Sequence, residues 1–340
     1  MEAAVAWTRF FMKSFKVGID SYSLSPLNLD PFSVMAWAER NGADGVQFSE
    51  VRLKEGQILD TPFLRDLADQ AREKNLYLEW AGGQHIPYDQ WNGWKPHNTF
   101  AVNRRAVEQA AIIGAGVVRS CSGGLMRWKK KSPPTAWLIS EMATSLKKQR
   151  TMFRDHGVVL AIETHFEFTT FELLRLFDAC DALPGDYLGI CLDTMNLLTM
   201  IEDPVEATER ILPWVVATHI KDGGMIIAPN GLISFPAEEG LVLIDLNRIL
   251  ELLSSLDRQV HLSIEDHGGS FDIPIFDSGF LARFPDLTAH ELNLLLNLAI
   301  QTQRRIDEKK LAIVERPGWP EVCEQRVIRD IRHLKDIAAK

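Results

Sequence analysis

Eight short apolar runs recur along this chain, and helix-like sequence separates each from the next. The runs cover residues 16–20, 45–50, 76–83, 116–124, 158–163, 187–193, 214–220 and 260–266. They are short, apolar and rich in β-branched residues, the composition of parallel strands buried on both faces. Amphipathic segments at 31–41, 61–75, 98–113, 135–156, 169–180, 204–211, 245–256 and 288–312 read as the intervening helices. Gly42 sits where a helix C-terminus needs a left-handed residue, and Thr61 reads as an N-cap with Pro62 at the first helical position. Eight βα units in one series predict an α/β chain folded as a (β/α)8 TIM barrel. A doubly wound sheet would more often carry a glycine-rich phosphate loop after the first strand. Here that position reads DSYSLSPLNLD.

Four runs end in a residue able to bind a metal: Glu163 in VVLAIETH, Asp193 in YLGICLDTMN, His219 in WVVATHIKD and Glu265 in VHLSIEDHGG. Singly, each has an ordinary explanation; Asp193, for instance, is placed to cap a helix starting near Met195. In a barrel, however, all C-terminal strand ends converge on one mouth. Four such residues on four consecutive strands therefore predict a metal centre. Three carboxylates and one imidazole suit one hard divalent ion, Mn2+ first, with Mg2+ or Co2+ also fitting. Open positions on that ion would accept two oxygens of a sugar, a carbonyl and a hydroxyl, and so favour proton removal beside the carbonyl. Glu163 and Glu265, on strands five and eight across the mouth, are the expected proton-handling pair.

Other residues are candidates to complete the site. His165 lies two past Glu163, on the same side of a continued strand, and is a candidate acid or base, or a hydrogen-bond support. His85, in the loop after strand three, is a candidate acid or base as well as a substrate contact, and Trp91 in the same loop, with Trp80 and Trp94, is a candidate for substrate binding. Arg119, at the end of strand four, is placed to hold a polar substrate group or to form an ion pair. Lys221 is placed to reach a substrate oxygen or to pair with Asp222. The segments 82–97 and 223–242 are expected to shape the pocket.

The bulk numbers narrow the function classes. A formal net charge of -9 argues against a nucleic-acid partner, which selects basic surfaces. The one basic run, Lys129-Lys130-Lys131, reads as a solvated loop. No apolar run reaches the ~18–20 residues of a membrane span. The four cysteines (121, 180, 191 and 323) have no paired spacing, so neither disulfides nor a cysteine zinc site is expected. A cytoplasmic location is the expectation. The division expected is 1–15 an N-terminal extension, with Met12 an alternative start, 16–312 the barrel, and 313–340 a C-terminal helical tail. That tail is free to dock on the barrel or on a neighbour, which leaves a homo-oligomer or accessory subunit open.

Over about residues 16–312 the chain resembles the xylose-isomerase-like sugar (phosphate) isomerase/epimerase barrels. The resemblance rests on IETH, LDTMN, HIKD and the Glu of strand eight. It implies that Glu163, Asp193, His219 and Glu265 hold one divalent metal, and that the two glutamates move protons as in ketose 3-epimerases. The same family includes inosose and 3-dehydroshikimate dehydratases and enzymes that β-eliminate 3-keto-glycosides. Two positions depart from the epimerase pattern: Asn196 stands where epimerases often carry His, and His219-Ile220-Lys221-Asp222 is nearer the dehydratase and lyase pattern. The resemblance therefore implies isomerisation or epimerisation of a sugar or keto-sugar, with β-elimination from a keto-glycoside or cyclic keto-polyol as the alternative. The expected partner is the small sugar substrate.

Overall fold

A computed structural model describes residues 15–340 apart from positions 123, 239 and 242. Most of the expected N-terminal extension, with Met12, thus lies outside the described residues. The first seven barrel strands are β1 (Val17–Asp20), β2 (Gly45–Phe48), β3 (Tyr77–Gly83), β4 (Val117–Ser120), β5 (Val159–Glu163), β6 (Leu188–Asp193) and β7 (Val215–His219). A hairpin, β8 (Asp222–Ala228) and β9 (Gly231–Ala237), then intervenes before the eighth barrel strand, β10 (Leu262–Ile264). The barrel strands are parallel, in the order β10-β1-β2-β3-β4-β5-β6-β7. Closure between β7 and β10 is slender. One bridge joins Ile220 and Ile264, and Thr218 Oγ1 stands in for the missing rungs. It donates to His261 O at 2.8 Å and accepts from Ser263 N at 3.2 Å.

Tyr77 plugs the floor of the barrel. A Cβ on Gly18 would lie 2.3 Å from its hydroxyl, and one on Gly45 would lie 2.2 Å from its ring. Both strands can approach that ring only because these positions are glycine.

The helices begin where short polar side chains cap them. α1 (Pro31–Arg40) starts at Asp30, and α6 (Thr170–Ala179) carries a capping box of Thr169 and Glu172. α2 (Thr61–Glu73) is capped by Asp60, whose carboxylate accepts from Phe63 N at 3.0 Å; Thr61, expected as the cap, is its first helical residue. The single helix expected over 135–156 is two, α4 (Thr135–Lys147) and α5 (Arg150–Asp155). The break falls at buried Gln149, whose amide joins Asn103 of α3 (Thr99–Ile113) at 2.8 Å and Ser145 Oγ at 3.1 Å. That buried polar network holds the chain out of helical continuation.

Two elements enclose the mouth. The hairpin β8–β9 pairs with β11 (Phe271–Ile273) as a three-stranded antiparallel sheet. α11 (Ala289–Asp307) lies along it, with Thr302 facing Gly224. The C-terminal helix α12 (Trp319–Ala338) packs on this same barrel. Trp319 Nε1 donates to Ser23 O at 3.2 Å, Arg326 Nη2 meets Asp266 at 2.9 Å, and Lys335 meets Asp44 at 2.7 Å. Among the described residues, no helix is long and apolar enough to cross a membrane.

Candidate metal centre

Asp193 and Glu163 end β6 and β5, His219 ends β7, and Glu265 directly follows β10. The parallel register places Asp193 beside His219 and Glu163 beside Cys191. One ligand atom from each of the four lies within 4.8 Å of the other three. His219 Nδ1 is 3.5 Å from Glu163 Oε1, 3.5 Å from Glu265 Oε2 and 3.9 Å from Asp193 Oδ2. Ligands held at about 2.1 Å from one ion sit roughly 3–4 Å apart, so the spacing suits a single small cation.

The orientation of the imidazole follows from a chain of hydrogen bonds. Glu79 carries only acceptors, and Gln47 approaches it through Nε2 at 2.7 Å. Gln47 Oε1 therefore faces His219 Nε2, which must donate. His219 Nδ1 then faces the carboxylates of Glu163, Glu265 and Asp193 and, among the described residues, is within hydrogen-bond reach of none of them. Fixing a ligand's tautomer through its other nitrogen is how metal sites orient histidine.

Charge supports the same reading. Asp20, Glu163, Asp193 and Glu265 are all buried at this end, and Asp20 Oδ2 lies 3.4 Å from His219 Nε2. Arg119 is ion-paired with Glu163. Lys221 Nζ lies 2.8 Å from both Asp193 Oδ2 and Glu265 Oε2. Although burial opposes it, the Glu265 and Glu163 charges hold the His219 imidazole well above its usual range. Four carboxylates against Arg119, Lys221 and this ring still leave an excess of negative charge, which becomes two when a metal displaces the ring proton. A divalent ion balances that excess, and uncompensated buried charge is costly. Burial, joined by the Glu265 and Glu163 charges, pushes Asp193 up to about 6 although Lys221 opposes it. For Glu265, burial is outweighed by Lys221 and His219, which hold it down to about 2. The donor set thus fits one divalent ion. Asp193 also fills the capping role: its Oδ1 accepts from Met195 N at 3.0 Å and Asn196 N at 2.9 Å, which leaves Oδ2 for the centre.

The remaining candidates separate into two groups. Arg119, Asn196 and Lys221 adjoin the four ligands, with Asn196 Nδ2 donating to Glu163 Oε1 at 3.3 Å. The Asp222 carboxylate accepts from the backbone of Gly223 and Ile244, each at 2.8 Å, and so ties down the hairpin's entrance. His165 and His85 lie on the β4–β5 side. His165 Nδ1 is 3.1 Å from Glu167 Oε2, and Cys121 is beside it. His85 Nδ1 is 2.8 Å from Ser120 Oγ, and burial lowers this imidazole to about 4, so it is neutral. Trp91 is 70% exposed beneath Lys129, whose Nζ is 4.3 Å from the ring centroid. Trp80 is buried and donates to Gln109 at 3.2 Å.

Five residues of this region were not anticipated: Asp20, Gln47, Glu79, Cys121 and Glu167. Asp20 carried the same signal as the four ligands, a carboxylate ending the apolar run KVGID. Gln47 and Glu79 are polar residues inside strands that otherwise read as buried, a mismatch that marks interior polar networks.

The sequence matches the profile described as Xylose isomerase-like TIM barrel over residues 35–297. It is 26% identical over 205 residues to the uncharacterized protein YihM of Escherichia coli (strain K12), covering 59% of this chain and 56% of that one. It is 39% identical over 70 residues to 3-oxo-isoapionate decarboxylase of Pectobacterium atrosepticum, 21% of this chain and 24% of that enzyme. The aligned part therefore spans little more than half of the first relative and a quarter of the second. Among solved structures, an L-ribulose 3-epimerase superposes with a TM-score of 0.56 at 18% identity, over 87% of this chain and 97% of that one. A xylose isomerase-like barrel from Mycobacterium smegmatis, in complex with magnesium, gives 0.56 at 15% identity, over 84% and 98%. At such identity the likeness speaks for the fold alone. With its profile match spanning most of its length, this chain belongs to the xylose isomerase-like TIM-barrel family.

Proposed function

We propose that this chain is a divalent-metal-dependent enzyme that removes a proton beside the carbonyl of a sugar or keto-sugar. The observation that carries the reading is the Nδ1 of buried His219, aimed at three carboxylates 3.5–3.9 Å away while Gln47 holds Nε2. Glu163, Asp193, His219 and Glu265 would hold the ion, Mn2+ first among the hard divalent cations. When bound, that ion supplies polarisation of the carbonyl and stabilisation of the negative charge that develops on the substrate's oxygens.

The chain's own residues divide the proton work. Glu265 is the base: its Oε2 is held by Lys221, which positions it and keeps it ionised. Glu163, on the facing side and steadied by Arg119 and Asn196, would take up a proton from solvent and deliver it to the substrate, while Glu265 releases to solvent the proton it removed. Lys221, buried and charged against Asp193 and Glu265, favours the anionic enediolate left after proton removal. Return of a proton to the same or the neighbouring carbon gives epimerisation or isomerisation. A second reading, β-elimination from a keto-glycoside or cyclic keto-polyol, is favoured by His165 and its carboxylate partner Glu167. An imidazole oriented by a carboxylate is a fit acid for a departing group. The relative named a decarboxylase is in keeping with bond-breaking chemistry on this scaffold.

Proton NMR of Mg2+-loaded enzyme in D2O, with a panel of free ketoses and 3-keto-glycosides, tests the proposal. Deuterium entering beside the carbonyl of an intact, rearranged sugar is the expected result. Release of an aglycone or water with an unsaturated keto-sugar would favour the second reading. No exchange with any substrate of the panel would count against both.

A further inference from the structure

Cys121, His165 and Glu167 lie beside the centre just described yet share none of its ligands. One donor atom from each lies within 4.8 Å of the other two. Their chemistry differs from that of the first set. A thiol, an imidazole and a carboxylate form a borderline-soft S/N/O set of the kind that selects Zn2+, whereas three carboxylates and one imidazole favour harder ions. The group is also oriented from outside. Gly124 N donates to Glu167 Oε1 at 3.1 Å, which leaves Oε2 toward His165 Nδ1. A further buried donor adjoins it. His85 lies near enough to Glu167 and His165 to feel both charges. Its Nδ1 is occupied by Ser120, and its Nε2 is buried without a partner among the described residues. Cys121 forms no disulfide.

We propose that Cys121, His165 and Glu167, with His85 at hand as a fourth donor, form a second metal site that takes a thiophilic divalent ion such as Zn2+ and, when filled, inhibits the enzyme. Binding exchanges the thiol proton of Cys121 and the extra ring proton of the His165 imidazolium, both released to solvent, for a sulfur–metal and a nitrogen–metal bond. It also engages the imidazole of His165, which then no longer carries a proton to or from substrate. The binding claim stands on the cluster alone, while the inhibition claim rests on the second reading above, in which His165 is the acid.

Holoenzyme loaded with Mn2+ would be titrated with Zn2+, and separately with Co2+, with bound metals counted by elemental mass spectrometry. Expected is one Zn2+ bound in addition to retained Mn2+, and a sulfur-to-cobalt charge-transfer absorption with Co2+. Cys121→Ser should retain Mn2+, lose the absorption and bind Zn2+ at least about tenfold more weakly. Glu167→Gln should weaken Zn2+ while keeping the absorption band, which guards against a variant that misfolds. Zn2+ that only replaces Mn2+, or a charge-transfer band that persists in Cys121→Ser, would overturn the site. If a substrate is turned over, Cys121→Ser should keep its Mn2+-supported activity at Zn2+ levels that inhibit the wild type. Equal inhibition of both would overturn the regulatory role while leaving the proton-transfer reading intact.

Discussion

The two ends of the barrel are both polar, yet only one is built to hold something. At the N-terminal floor lies a cavity of about 900 Å3 lined by Lys16, Arg72, Tyr77, Glu79, Arg258 and His261, among others. Its key groups are spent on one another. Tyr77 stacks on His261 with centroids 3.8 Å apart, its hydroxyl lies 2.9 Å from Ser263 Oγ, and His261 Nδ1 is 3.0 Å from Glu79. At the mouth, His219 Nδ1 lacks a hydrogen-bond partner among the described residues, and carboxylate charge exceeds cationic charge. Unsatisfied chemistry, rather than volume, distinguishes the site. The ends are also joined: His261, Glu79, Gln47 and His219 form one hydrogen-bonded chain through the barrel interior. The floor thereby fixes the ring that faces the centre.

The contrast predicts a graded series. Removing a ligand should do most damage. Asp193→Ala and His219→Ala forfeit the several kcal/mol a metal supplies to developing charge, about a thousandfold or more in turnover. Wild-type turnover in either would break the contrast at its root. Glu265→Gln should come next: substrate binding near normal, with kcat down by about 10²–10⁴. Full activity there would move the base elsewhere. Gln47 sits between the two ends, so Gln47→Leu should weaken metal binding by about 10–100-fold in equilibrium dialysis, with the variant still folded. Unchanged affinity would mean that the chain through the barrel is only packing. Tyr77→Phe at the floor should cost about 1 kcal/mol of stability, the worth of one hydrogen bond, and leave metal affinity alone. A large loss of metal would erase the distinction between the ends.

Much of this was legible because burial makes strands read as unbroken apolar runs, and a carboxylate or imidazole at the end of one stands out. The eight barrel strands and the way Glu163, Asp193, His219 and Glu265 come together follow from that signal. Other features depend on contacts that no local pattern carries. Whether α12 folds onto its own barrel is decided by pairs such as Arg326 with Asp266 and Trp319 with Ser23, some 60 and 296 residues apart in sequence. The helix break at Gln149 depends on Asn103, on another helix. The hairpin β8–β9 is different. Asn230-Gly231 between two apolar stretches is a hairpin signal, yet the segment was expected only as a wall of the pocket. Lys221 illustrates the last limit: the sequence offers its neighbour Asp222 as a partner, while the fold gives it Asp193 and Glu265.

The central claim is that four strand-end side chains make one metal centre. The most direct test is titration of metal-free wild type, His219→Ala and Asp193→Ala with Mn2+, following free ion by electron paramagnetic resonance. The account predicts one tightly bound equivalent in the wild type and loss of that equivalent in both folded variants. Equal, tight binding in all three would contradict it.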